Sequence, residues 1–189
     1  MFSFTPTKNI TMGEGGIVTT NDGAIAEAMR LLRNHGQTSR YRHERLGYNW
    51  RLTEMQAAMG MAQLDRLEGI IETKRSNARW MVSRLGHLPS IRLPAELPSR
   101  KHVYMLYTIL LERNRDGVLQ SLLDRGIEAR VYFPPAHLQP VFEGGPSLPI
   151  TEDLSKRILS LPFHSQLTGN ELEEIAVGLE QALANFDLP

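Results

Sequence analysis

The sequence predicts an α/β fold, and three observations carry that prediction. Short β-branched or aromatic runs alternate with amphipathic helical stretches along the 189 residues. Two capping boxes, Thr53 with Gln56 and Thr168 with Glu171, mark the starts of helices. From residue 102 onward the order reads strand, helix, strand, helix, helix, which is a small sheet covered by helices.

Residues 2–4 are aromatic and strand-like until Pro6 interrupts them. The turn Gly13-Glu14-Gly15-Gly16 follows, and it reads as a tight turn at positive φ. Neither phosphate-binding glycine fingerprint fits its spacing. Residues 17–20 form a second strand, and Asn21-Asp22-Gly23 ends it and can cap a helix over 24–33 with Ile25, Ala28, Met29 and Leu32 on one face. Residues 36–51 read as a long loop holding Arg40, Arg42, Arg45 and Arg51 beside Tyr41, Tyr48 and Trp50. Thr53 opens a helix that runs to about residue 85, with a bend expected near Gly69. Met55, Met59 and Met61 are assigned to its core or to a subunit contact.

After Pro89 the texture changes, and Pro94, Pro98 and Arg100-Lys101 mark a connection. Residues 103–111 carry apolar side chains on both faces and predict a central strand. A helix over 116–124 is stopped by Gly126, and residues 127–133 alternate as a strand until Pro134-Pro135. A Pro- and Gly-rich loop over 136–150, a short helix over 151–159, an extended stretch over 161–164 and a terminal helix to about residue 185 complete the chain.

Bulk properties narrow the function. Lys+Arg and Asp+Glu are 21 each, so the net charge is zero, which argues against nucleic acid or an anionic membrane as the main partner. There is no cysteine, which excludes a disulfide scaffold, a thiolate nucleophile and a Cys-type zinc site, and fits a cytoplasmic protein. His35, His137 and His164 lack the spacing of a metal site, so no metal is expected. No apolar run reaches the length of a membrane span, and the first residues do not have the pattern of a signal peptide.

The segments Ser3-Phe4, Thr7-Lys8-Asn9, Gly13-Glu14-Gly15-Gly16, Arg33-Asn34-His35-Gly36, Gly47 to Ala58, Tyr132-Phe133-Pro134-Pro135 and Leu161-Pro162-Phe163-His164 together resemble the DegT/DnrJ/EryC1/StrS aminotransferases, fold-type-I pyridoxal-phosphate enzymes of which many act on nucleotide-linked keto-sugars. Ser3-Phe4, Thr7-Lys8-Asn9 and the glycine turn resemble the family's lysine region. Arg33-Asn34-His35-Gly36 and the run from Gly47 to Ala58 match the next signatures. Tyr132-Phe133-Pro134-Pro135, His137-Leu138-Gln139-Pro140 and Leu161-Pro162-Phe163-His164 match its small domain. Each motif alone is weak; their occurrence in order along the chain is specific. The family's members are about twice this length, so the resemblance identifies the chain with their C-terminal half. It implies residues 1–52 as the end of a large domain, 53–86 as a connecting helix and 87–189 as a small α/β domain.

The resemblance also assigns roles. Lys8 is the lysine that attaches pyridoxal phosphate, and a lysine there speaks against the family's dehydratase branch, which carries histidine. The Ser3 hydroxyl bonds the cofactor phosphate, and Asn49 reaches the same phosphate from a neighbouring subunit, which implies a homodimer. Arg51, Arg130, His137 and His164 are candidates for the substrate side. By residue type alone, each has an ordinary alternative: a solvated lysine, a turn asparagine, a surface arginine, a hydrogen-bonded histidine. The acidic partner of the pyridine nitrogen and the ring-stacking residue match nothing in these 189 residues. The expectation is therefore an aminotransferase segment that is inactive alone. The alternatives are one half of a split enzyme, paired with an N-terminal half on another chain, or a non-catalytic oligomerisation remnant.

Overall fold

Pro6 and the glycine turn leave little room for strand pairing at the N-terminus. The computed structural model, which describes residues 1–186, pairs only β1 (Phe2–Ser3) with β2 (Gly16–Ile17), antiparallel. Residues 18–20, expected in the second strand, lie outside it. Of the expected cap Asn21-Asp22-Gly23, it is Asp22 that caps α1 (Gly23–Arg33), its Oδ1 accepting from Ala24 N at 2.8 Å and Ile25 N at 3.1 Å. The expected loop over 36–51 contains a small hairpin, β3 (Gln37–Ser39) with β4 (Arg42–His43), turned through Tyr41 at φ 66°. The Thr53 capping box opens α2 (Glu54–Asp65).

The expected single helix is two. Arg66 separates α2 from α3 (Leu67–Leu85), and its N–H is shared between Gln63 O and Leu64 O, the tightened bonding of a helix end. Gly69, the expected bend, lies inside α3. The chain divides into two compact units, 1–68 and 69–189. Within the first, neither α1 nor α2 has a buried residue. Met55, Met59 and Met61 are exposed, so they are not core residues of this unit.

In the second unit the core follows from alternation. β6 (Tyr107–Leu111) turns Tyr107, Ile109 and Leu111 inward, and β7 (Ile158–Leu161) contributes Leu159 and Leu161. β6 is central as expected, between β5 (Ile91–Arg92), which sequence patterning missed for its shortness, and β7, both antiparallel to it. It starts later than residue 103, because Tyr104 adopts φ 42°. Residues 127–133 pair only at Arg130, through Arg130 N to Ser160 O (2.9 Å) and the reciprocal bond (2.8 Å). Ala129 N turns back to Ile127 O at 2.8 Å, and Pro134 and Pro135 offer no N–H, so no longer ladder forms there.

Helices α3, α4 (Arg115–Asp124) and α6 (Gly169–Ala184) pack Ala78, Met81, Leu85, Val118, Leu122 and Leu179 into this core. Helix α5 (Pro149–Arg157) ends one residue before β7, earlier than the sequence pattern placed it. Arg115 Nη1 donates to Ser155 O and Ile158 O, both at 3.1 Å, and ties that junction to the start of α4. Arg84 on α3 makes charge-assisted bonds to Glu173 and Glu180 on α6, which lie two turns apart. These bonds raise the Arg84 pKa and hold the Glu180 carboxyl below the usual carboxylate range.

Leu179 on α6 is fully buried in this core. Leu179→Ala is expected to destabilise the chain by about 2–5 kcal/mol, through lost transfer energy and the cavity left behind. Guanidinium denaturation followed by circular dichroism measures it, and a cost below about 1 kcal/mol would contradict this packing.

Candidate functional site

Two glycines hold the segment that carries Asn49. The C-terminal carbonyls of α1 lack helical partners. The 48–50 backbone supplies them: Tyr48 N donates to Leu32 O (2.6 Å) and Trp50 N to Arg33 O (2.9 Å), while His35 N donates to Tyr48 O (2.9 Å). An isolated bridge joins Asn34 and Asn49. The two segments can approach this closely only without side chains at the crossing. A Cβ on Gly36, at φ 67°, would lie 1.8 Å from Arg45 O, and one on Gly47 would lie 2.0 Å from Gly36 N. The Arg33–Gly36 and Gly47–Asn49 motifs are thus two sides of one backbone crossing.

Beyond the crossing, side chains two apart share a side, as extended backbone dictates. Tyr48 and Trp50 stack with centroids 4.2 Å apart at 8°. Arg51 Nε donates to Asn49 Oδ1 at 2.9 Å. The structure therefore brings Asn49 and Arg51 together, leaving the Asn49 amide N–H donors and the Arg51 terminal nitrogens without a partner among the described residues.

Lys8 lies in the connection between β1 and β2. Its N–H donates to Thr5 O (3.0 Å), and the connection is closed by Phe4 N to Gly15 O and Met12 N to Phe4 O, each 3.0 Å. Ile10 and Met12 are its buried anchors. Gly13 and Gly15 have the positive φ expected of the turn, 81° and 154°, while Gly16 does not. The Lys8 side chain is half-buried, and its amine has no hydrogen bond or ion pair among the described residues. Ser3 is exposed on the same hairpin, its Oγ 3.4 Å from Thr5 Oγ1. No hydrogen bond joins the Ser3–Lys8 group to the Asn49–Arg51 group among the described residues.

Gln56 is a residue that the sequence placed only in a cap. Its Oε1 accepts from Thr53 N at 3.1 Å, and its Nε2 reaches Glu14 O at 2.9 Å. One amide thereby caps α2 and fixes the glycine turn that follows Lys8. Glu14 takes part in this contact through its backbone carbonyl.

The remaining candidates lie in the second unit. Arg130 is exposed, 3.3 Å from Glu128. His164 is exposed, and its Nδ1 accepts from Gln166 N at 3.3 Å. His137 Nε2 lies 3.2 Å from Glu152 Oε1, and the His137 side chain is mostly buried. The Glu152 carboxyl is held below the usual carboxylate range, first by the Leu148 N–H and then by His137. No hydrogen bond joins Arg130, His137 and His164 to one another among the described residues. Among the described residues no group of His, Asp and Glu is arranged to hold a metal, and no helix is long and apolar enough to cross a membrane.

The sequence missed Lys74. It is buried on α3, 4% exposed, with Nζ 3.3 Å from Met105 O and 5.6 Å from the centre of the Phe163 ring. Burial lowers its pKa to about 8. A lysine within a mostly polar helix gives no signal of burial in sequence; the packing of Phe163 and the 104–107 segment creates it.

The sequence profile of the DegT/DnrJ/EryC1/StrS aminotransferase family matches residues 1–180. The chain is 36% identical over 191 aligned residues to a GDP-perosamine synthase of Caulobacter vibrioides, covering 96% of the chain and 52% of that protein. It is 40% identical over 172 residues to a dTDP-3-amino-3,4,6-trideoxy-alpha-D-glucose transaminase of Streptomyces venezuelae, covering 88% and 45%. Among solved structures, S. venezuelae DesV, in complex with a ketimine intermediate, superposes with a TM-score of 0.89 at 38% identity, covering 96% of this chain and 50% of that one. The aminotransferase TlmJ of Streptoalloteichus hindustanus superposes with a TM-score of 0.94 at 26% identity, covering 98% and 52%. The chain spans about half the length of the curated relatives it matches.

Lys74 gives a pH test of this arrangement. Its folded pKa lies below the unfolded value, so keeping it charged in the fold opposes stability below about pH 8, and the penalty fades as the pH rises toward 10.5. Lys74→Met removes the titrating group. The stability difference between this variant and the parent should shift in the parent's favour by about 2 kcal/mol from pH 8 to pH 10. Denaturant melts across that range measure it, and a constant difference would contradict a buried, titrating Lys74.

Proposed function

Since the chain belongs to the DegT/DnrJ/EryC1/StrS aminotransferase family, we propose that it provides the lysine and phosphate side of a pyridoxal-phosphate site for amino transfer to a nucleotide-linked keto-sugar, with a glutamate-type amino donor. The observation that carries this reading is Lys8: its backbone is fixed by the Thr5 and Phe4 bonds, while its amine has no partner among the described residues. Ser3 Oγ, the Asn49 amide and the Arg51 guanidinium are donors suited to a phosphate. The present residues therefore fit the attachment point and the phosphate of the cofactor. When bound, the cofactor supplies the electron sink for the carbon that loses its proton. Lys8 holds the cofactor and, once released, carries a proton to and from the substrate carbon bearing the nitrogen. Asn49 and Arg51 orient the phosphate, with the Arg51–Asn49 bond setting the amide's direction.

The same reading makes residues 1–52 the end of a large domain, 53–86 the connection and 87–189 a small domain. It places Asn49 in the site of a neighbouring subunit, as in a cytoplasmic homodimer, keeps Arg130, His137 and His164 on the substrate side, and moves Arg51, expected there too, to the phosphate because of its bond to Asn49. The isolated 189 residues are proposed to be inactive. A second reading, an interaction module or one half of a split enzyme, is supported by the exposed apolar side chains of α2, with Met55 82% and Met61 70% exposed.

Incubation with pyridoxal phosphate followed by borohydride reduction should label Lys8 in preference to Lys74, Lys101 and Lys156, as read by peptide mass spectrometry. Lys8→Ala should remove that label. Equal labelling of the exposed Lys101 and Lys156 would count against an attachment role for Lys8. Amino transfer to a nucleotide keto-sugar by the purified chain alone would overturn the proposed inactivity.

A further inference from the structure

Helix α2 opens directly after Arg51, through the Thr53 cap, and docks on the connection that carries Lys8. We propose that Gln56 is a positioning residue for Lys8, its amide holding the closing turn of the Lys8 connection against α2. The role rests on the attachment function proposed above for Lys8. Gln56 and Gly60 are four residues apart and share one face of the helix, and Leu52 continues that row ahead of the cap. All three meet the Lys8 connection. Gln56 Nε2 donates to Glu14 O at 2.9 Å. A Cβ on Gly60 would lie 2.9 Å from Met12 Cε, and one on Gly15 would lie 2.6 Å from Met12 Sδ and 3.2 Å from Leu52 Cδ1. The buried Met12 side chain thus fits between two glycines, and the bare backbone at Gly60 lets the helix come close enough for Gln56 to reach Glu14. The next carbonyl after Glu14 closes the connection. Gly15 O accepts from Phe4 N, and Phe4 O accepts from Met12 N and from Thr11 Oγ1, each at 3.0 Å. Ser3 pairs with Gly16 one residue further on. Holding Glu14 therefore holds the base from which Lys8 and Ser3 project.

The residue type separates this role from helix capping. Gln56 Oε1 accepts from Thr53 N at 3.1 Å and from Thr53 Oγ1 at 2.8 Å, which completes the capping box. Two donors face the oxygen and a carbonyl faces the nitrogen, so only one orientation of the amide satisfies both ends. For the cap alone, a glutamate serves as well and adds a favourable charge at the start of the helix. The chain's other capping box shows this: Glu171 bonds Thr168 N at 2.7 Å and Thr168 Oγ1 at 2.8 Å, and among the described residues its carboxylate makes no other hydrogen bond. A carboxylate at position 56 would have no N–H for Glu14 O and would set two acceptors against each other. The amide nitrogen is thus required by the turn that closes the Lys8 connection, and not by the helix.

Three variants of the full 189-residue chain test the role. Gln56→Glu keeps the cap and loses the N–H. Gln56→Met loses both and adds no charge. Thr53→Ala weakens the cap and leaves the Gln56 amide in place. The fraction of Lys8 labelled after borohydride reduction, followed over a series of pyridoxal-phosphate concentrations by peptide mass spectrometry, gives an apparent dissociation constant for attachment at Lys8. Both Gln56 variants are expected to weaken attachment about fivefold, the factor that one hydrogen bond contributes. Thr53→Ala should stay within about twofold of the parent while its unfolding midpoint falls. Amide hydrogen exchange at Phe4 and Met12, whose bonds close the connection, should rise about fivefold in Gln56→Glu and keep the parent rate in Thr53→Ala. Attachment in Gln56→Glu equal to the parent, or an equal fall in Thr53→Ala, would overturn the role and leave the attachment function standing. A parent that is not labelled at Lys8 would overturn the attachment function, and the role with it.

Discussion

The first unit depends on a backbone crossing that only glycine permits. Gly36 and Gly47 pack main chain against main chain, and the crossing lets residues 48–50 satisfy the last carbonyls of α1. A helix end that would otherwise need solvent or a cap is thereby closed by the segment that carries Asn49 and Arg51. The crossing fixes which side of the chain is polar and which is aromatic, because extended backbone alternates from there. A larger residue at either glycine would separate the strands and lose the three bonds together. The same economy recurs at Gln56, where one amide satisfies a helix cap and the turn after Lys8.

The second unit rests on a different constraint, the burial of one face of β6. Tyr107, Ile109 and Leu111 point to the helices, and the opposite face carries Thr108, whose hydroxyl lies 2.8 Å from Ser160 Oγ. Charge is kept near the rim in paired form: Arg84 with Glu173 and Glu180, and Arg75 with Glu96. Arg75 and the His102 N–H pull the Glu96 carboxyl down to about 2. Lys74 is buried instead, with Nζ 3.3 Å from Met105 O and over the Phe163 ring. Such a group weakens the fold near neutral pH and is retained against that cost.

The two units divide the chemistry. The first holds an amine and phosphate-type donors; the second holds a cavity lined by carboxylates and an aromatic ring. The family match extends over both units, residues 1–180.

The sequence by itself determined the α/β class, the helix starts and the order of the motifs. Caps and alternation are local: Asp22, Thr53 and Thr168 need only their neighbours three residues on to declare a helix start. It also singled out Lys8, Ser3 and Asn49 as candidates, through motifs that are contiguous in the chain. Element lengths were less legible. The strand at 127–133 shrank to one bridged residue, and the long helix parted at Arg66, because pairing and helix ends are settled by partners remote in sequence. Only the tertiary structure paired Arg51 with Asn49, joined Gln56 to Glu14, buried Lys74 and closed the loop onto Glu152. The physical reason is common to all four. A side chain's hydrogen-bond partner, and the loss of its water, depend on what the fold brings alongside, and no local pattern encodes that neighbour.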